Sequence, residues 1–356
     1  MKKKITTTLL YLLLPVLMTG CLYEHPTLTA DGELGIDPTA VTLNANLTLN
    51  LNMPAAEEGA APLERPSAGE TPAYRHRFVI DAYIDRVFTA REVIYQDISN
   101  GRTQLVLPLS IKLHARRYEI AVWSDYVQVP NEAESITGTE EYFYNTSTPN
   151  HLLTLVGSES YRGNNEYKDA FCGSTELNLE KYRNDWNASV SLALELTRPV
   201  ARYQLMANDV AKFLGSSNTL ITKNTDFVAR LKYDGYLNVG YNILEKLPRH
   251  GLMYMQFDKS FKKSSLKEGE EFPLIFDYVF ATADDVLTRI PVTLEIWDKD
   301  VKNLLASTSF NVTGKPGQNT TITYGFLTAD SNGGINFNPD YNGNTEVEVP
   351  ALPAND

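Results

Sequence analysis

The chain has 356 residues, of which 44 are acidic and 32 are basic, and it contains two cysteines. A hydrophobic content of 43% allows sizeable cores, so a wholly disordered chain is excluded, and the length suits two domains. The net charge of −12 argues against a nucleic-acid partner, because phosphate contacts need a basic surface. Two cysteines are too few for a disulfide scaffold or a multi-cysteine zinc site.

The N-terminal residues 1–20 predict a lipoprotein signal peptide. Three lysines at 2–4 precede ten uncharged residues at 9–18, a stretch too short to span a membrane as a helix. Residues 17–21 resemble a bacterial lipobox, in which the cysteine thiol takes a diacylglycerol and becomes the new N-terminus. Cys21 is therefore the predicted lipidation site, and its acyl chains would hold the mature protein on a membrane. The alternative is an ordinary secretory peptide followed by an accidental cysteine.

The mature body is predicted to be more acidic than the whole chain. Removal of residues 1–20 takes away three lysines and no acid, so the net charge changes from −12 to −15. Such a body should not adhere to anionic headgroups by itself. Residues 21–38, with their prolines and glycines, predict a spacer off the membrane. Cys172 lies in an apolar setting and is predicted to be a buried structural thiol.

The clearest periodic signal lies between Val41 and Met53. Apolar residues alternate there with threonine and asparagine, which predicts a long strand with one dry and one wet face. The proline-rich residues 54–73 predict a loop. Further strands are predicted at 76–84, 91–98, 103–113, 118–129, 151–156, 174–180, 190–196, 200–206, 227–243, 252–258, 272–282, 288–297, 304–312 and 319–328. Only residues 207–215 predict a helix, with Asn208 or Asp209 as its cap and Gly215 as its end.

This pattern of many short strands and few helices predicts an all-β protein made of antiparallel β-sandwiches. We place the domain boundary close to Pro199. Residues 39–198 are then an N-terminal sandwich and residues 199–356 a C-terminal one.

No catalytic, cofactor or metal motif is found, and none is predicted. The five histidines are scattered without metal-binding spacing, at His25, His76, His114, His151 and His250. Residues 298–300 and 330–333 resemble calcium loops faintly but lack the remaining ligands, so polar turns are favoured. The acid pairs Glu140–Glu141 and Asp284–Asp285 are interpreted as solvated loop charges.

The tryptophans raise a glycan-binding alternative, because aromatic rings stack on sugar rings. Trp123 and Trp297 lie within predicted strands and are expected to pack in cores. Trp186 lies in the polar run 184–187 and is the candidate for an exposed ligand platform.

Six segments carry a family resemblance, at residues 74–83, 119–126, 167–173, 196–205, 324–328 and 333–336. On these segments the sequence resembles the fimbrillin-type lipoproteins of Bacteroidetes, which build type V pili. It is most similar to variants with a domain of unknown function related to the minor anchor subunits. The resemblance implies two tandem transthyretin-like sandwiches, a lipid anchor and assembly with other fimbrial subunits by strand exchange.

The resemblance also implies a role for the first strand. In major pilins of this family a protease cuts after an arginine that follows that strand, which opens a groove for a neighbour's donor strand. Here Arg65 is the only basic residue of the loop, and Pro66 directly after it would resist cleavage. This departure favours an anchor or accessory subunit that retains its first strand.

The leading hypothesis is a non-enzymatic outer-membrane lipoprotein that serves as a fimbrial anchor or as an adhesin-like accessory subunit. Surface exposure is expected, with a host or glycan ligand as a further candidate partner. The alternative is a surface glycan-binding lipoprotein of a polysaccharide-uptake system. A lipoprotein hydrolase is a third and weaker option, which would need a cleft with convergent polar groups.

Overall fold

The structure, a computed structural model, describes residues 42–53, 74–96, 103–128, 142–147, 152–155, 161–282, 288–329, 334–335 and 345–348. The predictions made for residues 1–41, which include Cys21, and for the loop at 54–73 lie outside these residues. The all-β prediction is confirmed, since strands dominate and the two α-helices have five residues each. No helix in the described part of the chain is long and apolar enough to cross a membrane.

The strands are numbered here in chain order. They are β1 (Thr42–Asn52), β2 (Tyr74–Ile84), β3 (Val87–Tyr95), β4 (Gln104–His114), β5 (Arg117–Gln128), β6 (Tyr144–Asn145), β7 (Leu152–Leu155), β8 (Phe171–Asn178), β9 (Ser189–Glu195), β10 (Val200–Ala207), β11 (Asp226–Asn242), β12 (Leu247–Lys262), β13 (Phe272–Phe280), β14 (Thr288–Asp298), β15 (Leu304–Gly314), β16 (Asn319–Tyr324), β17 (Gly334–Ile335) and β18 (Thr345–Glu348). The helices are α1 (Val210–Leu214) and α2 (Thr219–Lys223).

Two sheets enclose the core of the N-terminal half. One has the order β4-β1-β9 and the other the order β3-β2-β5-β8. The alternation in β1 and β4 places every second side chain inside, and these side chains meet Phe78 and Ile80 of β2 and Ile120 of β5 in one apolar cluster. The N-terminal half is therefore a two-layer arrangement of sheets.

The C-terminal half also has two sheets. One has the order β13-β10-β16-β18, and the other runs β17-β15-β14-β11-β7-β6, with β12 paired to β11. The hairpin of β11 and β12 is the longest pairing among the strands that the structure describes, with β11 spanning 17 residues and β12 spanning 16. Apolar side chains from both sheets, such as Leu205 and Leu231, form a second buried cluster.

The two halves are joined through sheet pairing and through shared core. Strand β7 pairs with β11, so a segment on the N-terminal side of Pro199 extends a C-terminal sheet. The β2–β5 sheet also buries its second face, because Val79 and Trp123 belong to the C-terminal cluster. Hence β2 is buried almost continuously and shows no alternation. The domain boundary close to Pro199 stays a prediction.

Local structure departs from the sequence predictions at a few places. Helix α1 begins at Val210 and not at the predicted residue 207, and it ends directly before the predicted stop Gly215. The carboxylate of Asp209 accepts no bond from it. That carboxylate binds the distant backbone N–H groups of Leu327 and Thr328 instead. Helix α2, capped by Asn218, was not predicted. Strands β6, β17 and β18 were also missed, and they have only two to four residues.

Candidate interaction site

The first strand, β1, lies between two neighbours in the middle of its sheet. It pairs antiparallel with β4 over its full length, from Thr42 opposite His114 to Asn52 opposite Gln104. On its other side it pairs parallel with β9 from Asn46 onwards. Both edges of the strand therefore have backbone partners, as buried N–H and C=O groups require.

Bonds beyond the regular ladders hold the two ends of β1. At the start, the backbone N–H groups of Asn44 and Asn46 donate to the carbonyls of Trp186 and Ala188 at 2.8 and 2.7 Å. At the end, the N–H of Met53 donates to the carbonyl of Thr103 at 2.8 Å. Strand β1 is thus held by backbone hydrogen bonds over its entire length.

The inner face of β1 fills an apolar groove between β4, β9 and the facing sheet. Its buried side chains have exposed fractions of 0 to 7%, and they are Leu43, Ala45, Leu47, Leu49, Leu51 and Met53. Full burial of one leucine or methionine contributes about 1.5–3 kcal/mol. The four leucines and the methionine together contribute roughly 8–15 kcal/mol, so a chain that lost β1 would expose a large apolar groove.

The outer face of β1 is polar and exposed. Asn44 donates to the side chain of Asn187 and Asn50 to that of Ser191, both at 3.1 Å. These bonds run toward β9 and its preceding turn, so they add to the register that the parallel pairing sets. The strand has the wet and dry faces that its sequence predicts.

Trp186 lies in the turn before β9, and 49% of its surface is exposed. An open depression of about 760 Å³ lies nearby in sequence, lined by Asn178, Glu180, Lys181, Arg183 and Asn184. Among the side chains that the structure describes, that of Tyr254 on β12, a strand of a different sheet, is also exposed. The role of Trp186 as a ligand platform stays a prediction.

The other two tryptophans have different environments. Trp123 is 1% exposed and packs edge-on against Tyr144, in agreement with the predicted core position. Trp297 is half-buried, and its indole N–H donates to Glu295 at 2.9 Å.

Cys172 is a free and buried thiol on β8. Its backbone forms a bridge with Thr197, and burial raises the pKa of the thiol to about 12. The thiolate is the reactive form of cysteine, so this side chain is inert at neutral pH. The predicted structural role is in agreement with this environment.

Of the two faint calcium loops, residues 298–300 lie in a turn that the structure describes. Asp298 closes the turn between β14 and β15: its carboxylate accepts bonds from the backbone N–H groups of Lys302 and Asn303 and from the Asn303 side chain. The bond from the Asn303 side chain contributes most to lowering the pKa of Asp298. This geometry is that of a polar turn. Residues 140–141, 284–285 and 330–333 lie outside the described part of the chain.

The histidines that the structure describes lie on three different strands. His76 is buried on β2, where its Nε2 lies 2.5 Å from the Ser124 hydroxyl, and burial lowers its pKa to about 3. His114 ends β4, and His250 is exposed on β12. Within the described residues, no group of three or more histidine, cysteine, aspartate or glutamate side chains could hold a metal ion.

A buried polar cluster around Lys168 and Asp277 was missed by the sequence predictions. The two residues are 109 positions apart, and a lysine and an aspartate give no sequence signal of mutual contact at that distance. The sequence offers only a general sign of such a cluster, which is the number of tyrosines in the chain, 20.

Several solved structures are similar to this chain. The fimbrial anchor protein Mfa2 from Porphyromonas gingivalis is 12% identical, with 74% of this chain and 81% of that chain covered and a TM-score of 0.36. A candidate adhesin from Bacteroides ovatus is 10% identical, with coverages of 74% and 75% and a TM-score of 0.37. A candidate polysaccharide-binding protein from Bacteroides thetaiotaomicron is 11% identical, with coverages of 75% and 80% and a TM-score of 0.35.

These similarities are distant, and no curated protein matches the chain. A family model covers most of the sequence, from residue 38 to residue 350. The chain therefore belongs to DUF6562, a family of unknown function.

Proposed function

We propose that this chain is a fimbrial anchor or accessory subunit of the type V pilus kind, held in the outer membrane by a lipid on Cys21. It consists of two tandem transthyretin-like sandwiches, works without catalysis and faces the cell surface. Its partners are other fimbrial subunits that bind by strand exchange. The proposal joins the lipobox and the family motifs of the sequence with the geometry of the first strand.

The observation that carries this proposal is the placement of β1. The strand is paired on both edges, and its inner side chains fill their groove, so the subunit completes its own N-terminal sheet. A subunit that receives a donor strand needs an open groove with unpaired backbone groups. A chain that keeps β1 cannot receive a donor strand in this sheet. It would therefore end a polymer at this sheet rather than extend it, which suits an anchor or accessory subunit.

The Arg65–Pro66 bond gives a direct test of strand retention. Chains purified from producing cells that contain the arginine-specific pilin protease should begin at Cys21 and still include β1, because proline after arginine resists cleavage. The matched control is Pro66→Ala, which should yield a shortened chain that begins at residue 66. N-terminal sequencing or intact mass measures both. A wild-type chain that begins at residue 66 would contradict the proposal.

The lipid anchor is tested by palmitate labelling. Wild-type protein should incorporate the label and sediment with outer membranes, and Cys21→Ala should do neither. The control Cys172→Ala replaces a buried thiol and should keep the label. Label that persists in Cys21→Ala would exclude the proposed anchor.

The fimbrial role is tested by deletion of the gene. An anchor is expected to limit pilus length and hold pili on cells, so the deletion strain should shed longer pili, and an accessory subunit should be missing from purified pili. Pili of unchanged length, attachment and composition would count against both forms of the proposal.

A second candidate function is glycan binding at the cell surface. It is favoured by the exposure of Trp186 and by the polar depression whose lining residue Asn184 is two positions before it. If this function is correct, Trp186→Ala should abolish retention on immobilised polysaccharide, while the control Tyr254→Ala should not. Equal retention of both variants and the wild type would exclude Trp186 as the platform.

A further inference from the structure

A buried cluster of one lysine, one aspartate and three tyrosines lies between the segment before β8 and the C-terminal sheets. Lys168 Nζ donates to Asp277 Oδ1 at 2.7 Å and to the Tyr161 hydroxyl at 2.5 Å. The Tyr161 hydroxyl donates to Asp277 Oδ2 at 2.5 Å, and the Tyr233 hydroxyl donates to the same oxygen at 2.6 Å. Tyr203 shares a hydrogen bond with Tyr233 and so extends the chain of hydroxyl groups.

This cluster excludes solvent. The side chains of Lys168 and Asp277 are 1% and 0% exposed, and the three tyrosines are buried with them. Burial lowers the pKa of Lys168, and the neighbouring Asp277 carboxylate opposes that effect. A dry site therefore favours loss of the ammonium charge, which is the first requirement for a lysine to act as a nucleophile.

We propose that Lys168 and Asp277 form an intramolecular isopeptide bond between Nζ and Cγ. The structure would then show the Lys168 amine and the Asp277 carboxyl group before they react, in contact with the hydroxyl group of Tyr161. This covalent link is independent of the proposed fimbrial role, and either can be wrong without the other.

The proton route runs through Tyr161. Its hydroxyl passes a proton to Asp277 Oδ2 and takes one from Lys168 Nζ, which leaves a neutral amine beside a neutral acid. Nζ then adds to Cγ, and the charge that develops on Oδ1 is stabilised by the backbone N–H of Tyr278, which lies 2.8 Å from Oδ1.

Collapse of this intermediate forms the amide. A second proton follows the same route from Nζ to Oδ2, the bond between Cγ and Oδ2 breaks, and Oδ2 leaves as water. Of the three ammonium protons, one remains on the amide nitrogen and two leave in the water molecule. No oxidant, metal or energy source is needed.

Two features of the cluster favour the amide over the ion pair. The fold holds the two reacting groups in contact, which replaces the entropic cost of an encounter between separate molecules. Burial of two charges is also costly even when they are paired, and the neutral amide removes both charges. The backbone N–H of Tyr278 can still donate to Oδ1, which becomes the amide oxygen.

The isopeptide bond would connect a turn of the N-terminal half with a strand of the C-terminal half. Lys168 lies in the 3-10 turn before β8 of the N-terminal sheet, and Asp277 lies on β13 of a C-terminal sheet. The link would close a loop between residues 109 positions apart and would join the two halves of the molecule covalently.

Peptide mapping of the purified full-length protein tests the proposal. Trypsin does not cleave after an acylated lysine, so the cross-linked protein should yield residues 163–181 joined to residues 268–289, with a mass one water molecule below the sum of the two. Linear peptides that end at Lys168 in the wild-type protein would overturn the proposal. This outcome needs no variant and so does not depend on the folding of one.

Three variants define the chemistry. Lys168→Arg should lose the branched peptide completely, while the control Lys181→Arg, which changes a lysine of the exposed turn, should keep it. Tyr161→Phe keeps the ion pair but removes the relay, so the rate of cross-linking after refolding should fall at least roughly tenfold. A Tyr161→Phe protein that cross-links at the wild-type rate would overturn the relay.

Discussion

Truncation of Leu49 in the middle of β1 tests whether this strand fills its groove. Leu49 is 0% exposed, and it lies between Leu107 of β4 and Leu192 of β9 in the pairing register. Replacement by alanine removes buried methyl groups from a site walled on both sides, so the surroundings can collapse only in part. The matched control is Asn46→Ala, on the exposed face of the same strand.

The expected magnitude follows from the burial. Leu49→Ala should lower the free energy of unfolding by about 3–5 kcal/mol, in the upper part of the range for buried leucines. Asn46→Ala should change it by no more than about 0.5 kcal/mol. For a chain of this size the urea m-value lies at or above the roughly 3 kcal/mol/M found for the larger of the small proteins, so the Leu49→Ala midpoint should fall by up to about 1–1.5 M.

Urea unfolding followed by tryptophan fluorescence and far-UV circular dichroism measures this difference. Trp123, on β5 of the facing sheet, packs in the second core and emits together with Trp186 and Trp297, so the fluorescence reports on both halves of the molecule. If the midpoint of Leu49→Ala moves no further than that of Asn46→Ala, β1 does not fill the groove in solution. The proposed retention of the first strand would then be refuted as well.

Three further changes probe buried contacts. The pKa of His76 is about 3 in the folded protein and 6.5 in the unfolded chain, so the free energy of unfolding is highest above pH 6.5 and falls by about 2 kcal/mol at pH 5. His76→Asn should flatten this pH dependence, which thermal unfolding across pH 5–7 measures. Asp125→Ala leaves Arg77 buried without its bidentate partner and should cost about 3–5 kcal/mol in urea unfolding. Gly173→Ala would place a Cβ 2.5 Å from the Glu195 carbonyl, so β8 must shift and the melting temperature should fall; an unchanged melting temperature would contradict this close approach.

Part of the candidate site could be read directly from the sequence. The alternation in residues 41–53 predicts both the strand and the face that it buries, because side chains of a strand point to opposite sides in turn. The partners of that strand could not be read in the same way. Its parallel neighbour β9 lies more than 130 residues further along the chain, and nothing in residues 189–195 specifies β1 rather than another strand.

The sequence also does not indicate that β2 is buried on both of its faces. Residues 76–84 predict a strand, but the continuous burial of β2 arises because the C-terminal core covers its second face. The contact of Lys168 with Asp277 has the same origin, since it forms only where a turn before β8 meets β13. The position of β7 beside β11 is likewise a product of folding across the two halves.

The sequence by itself determined the all-β class, the period of the strands, the acidic surface and the lipobox with its predicted anchor. Only the tertiary structure decided that β1 is paired on both edges and that Cys172 and Trp123 belong to the core cluster of the C-terminal half. Periodicity and charge are properties of neighbouring residues, so they can be read from a short segment of the sequence without knowledge of the fold. Strand partners and buried charge pairs depend on contacts between distant segments, which exist only after the sheets have packed.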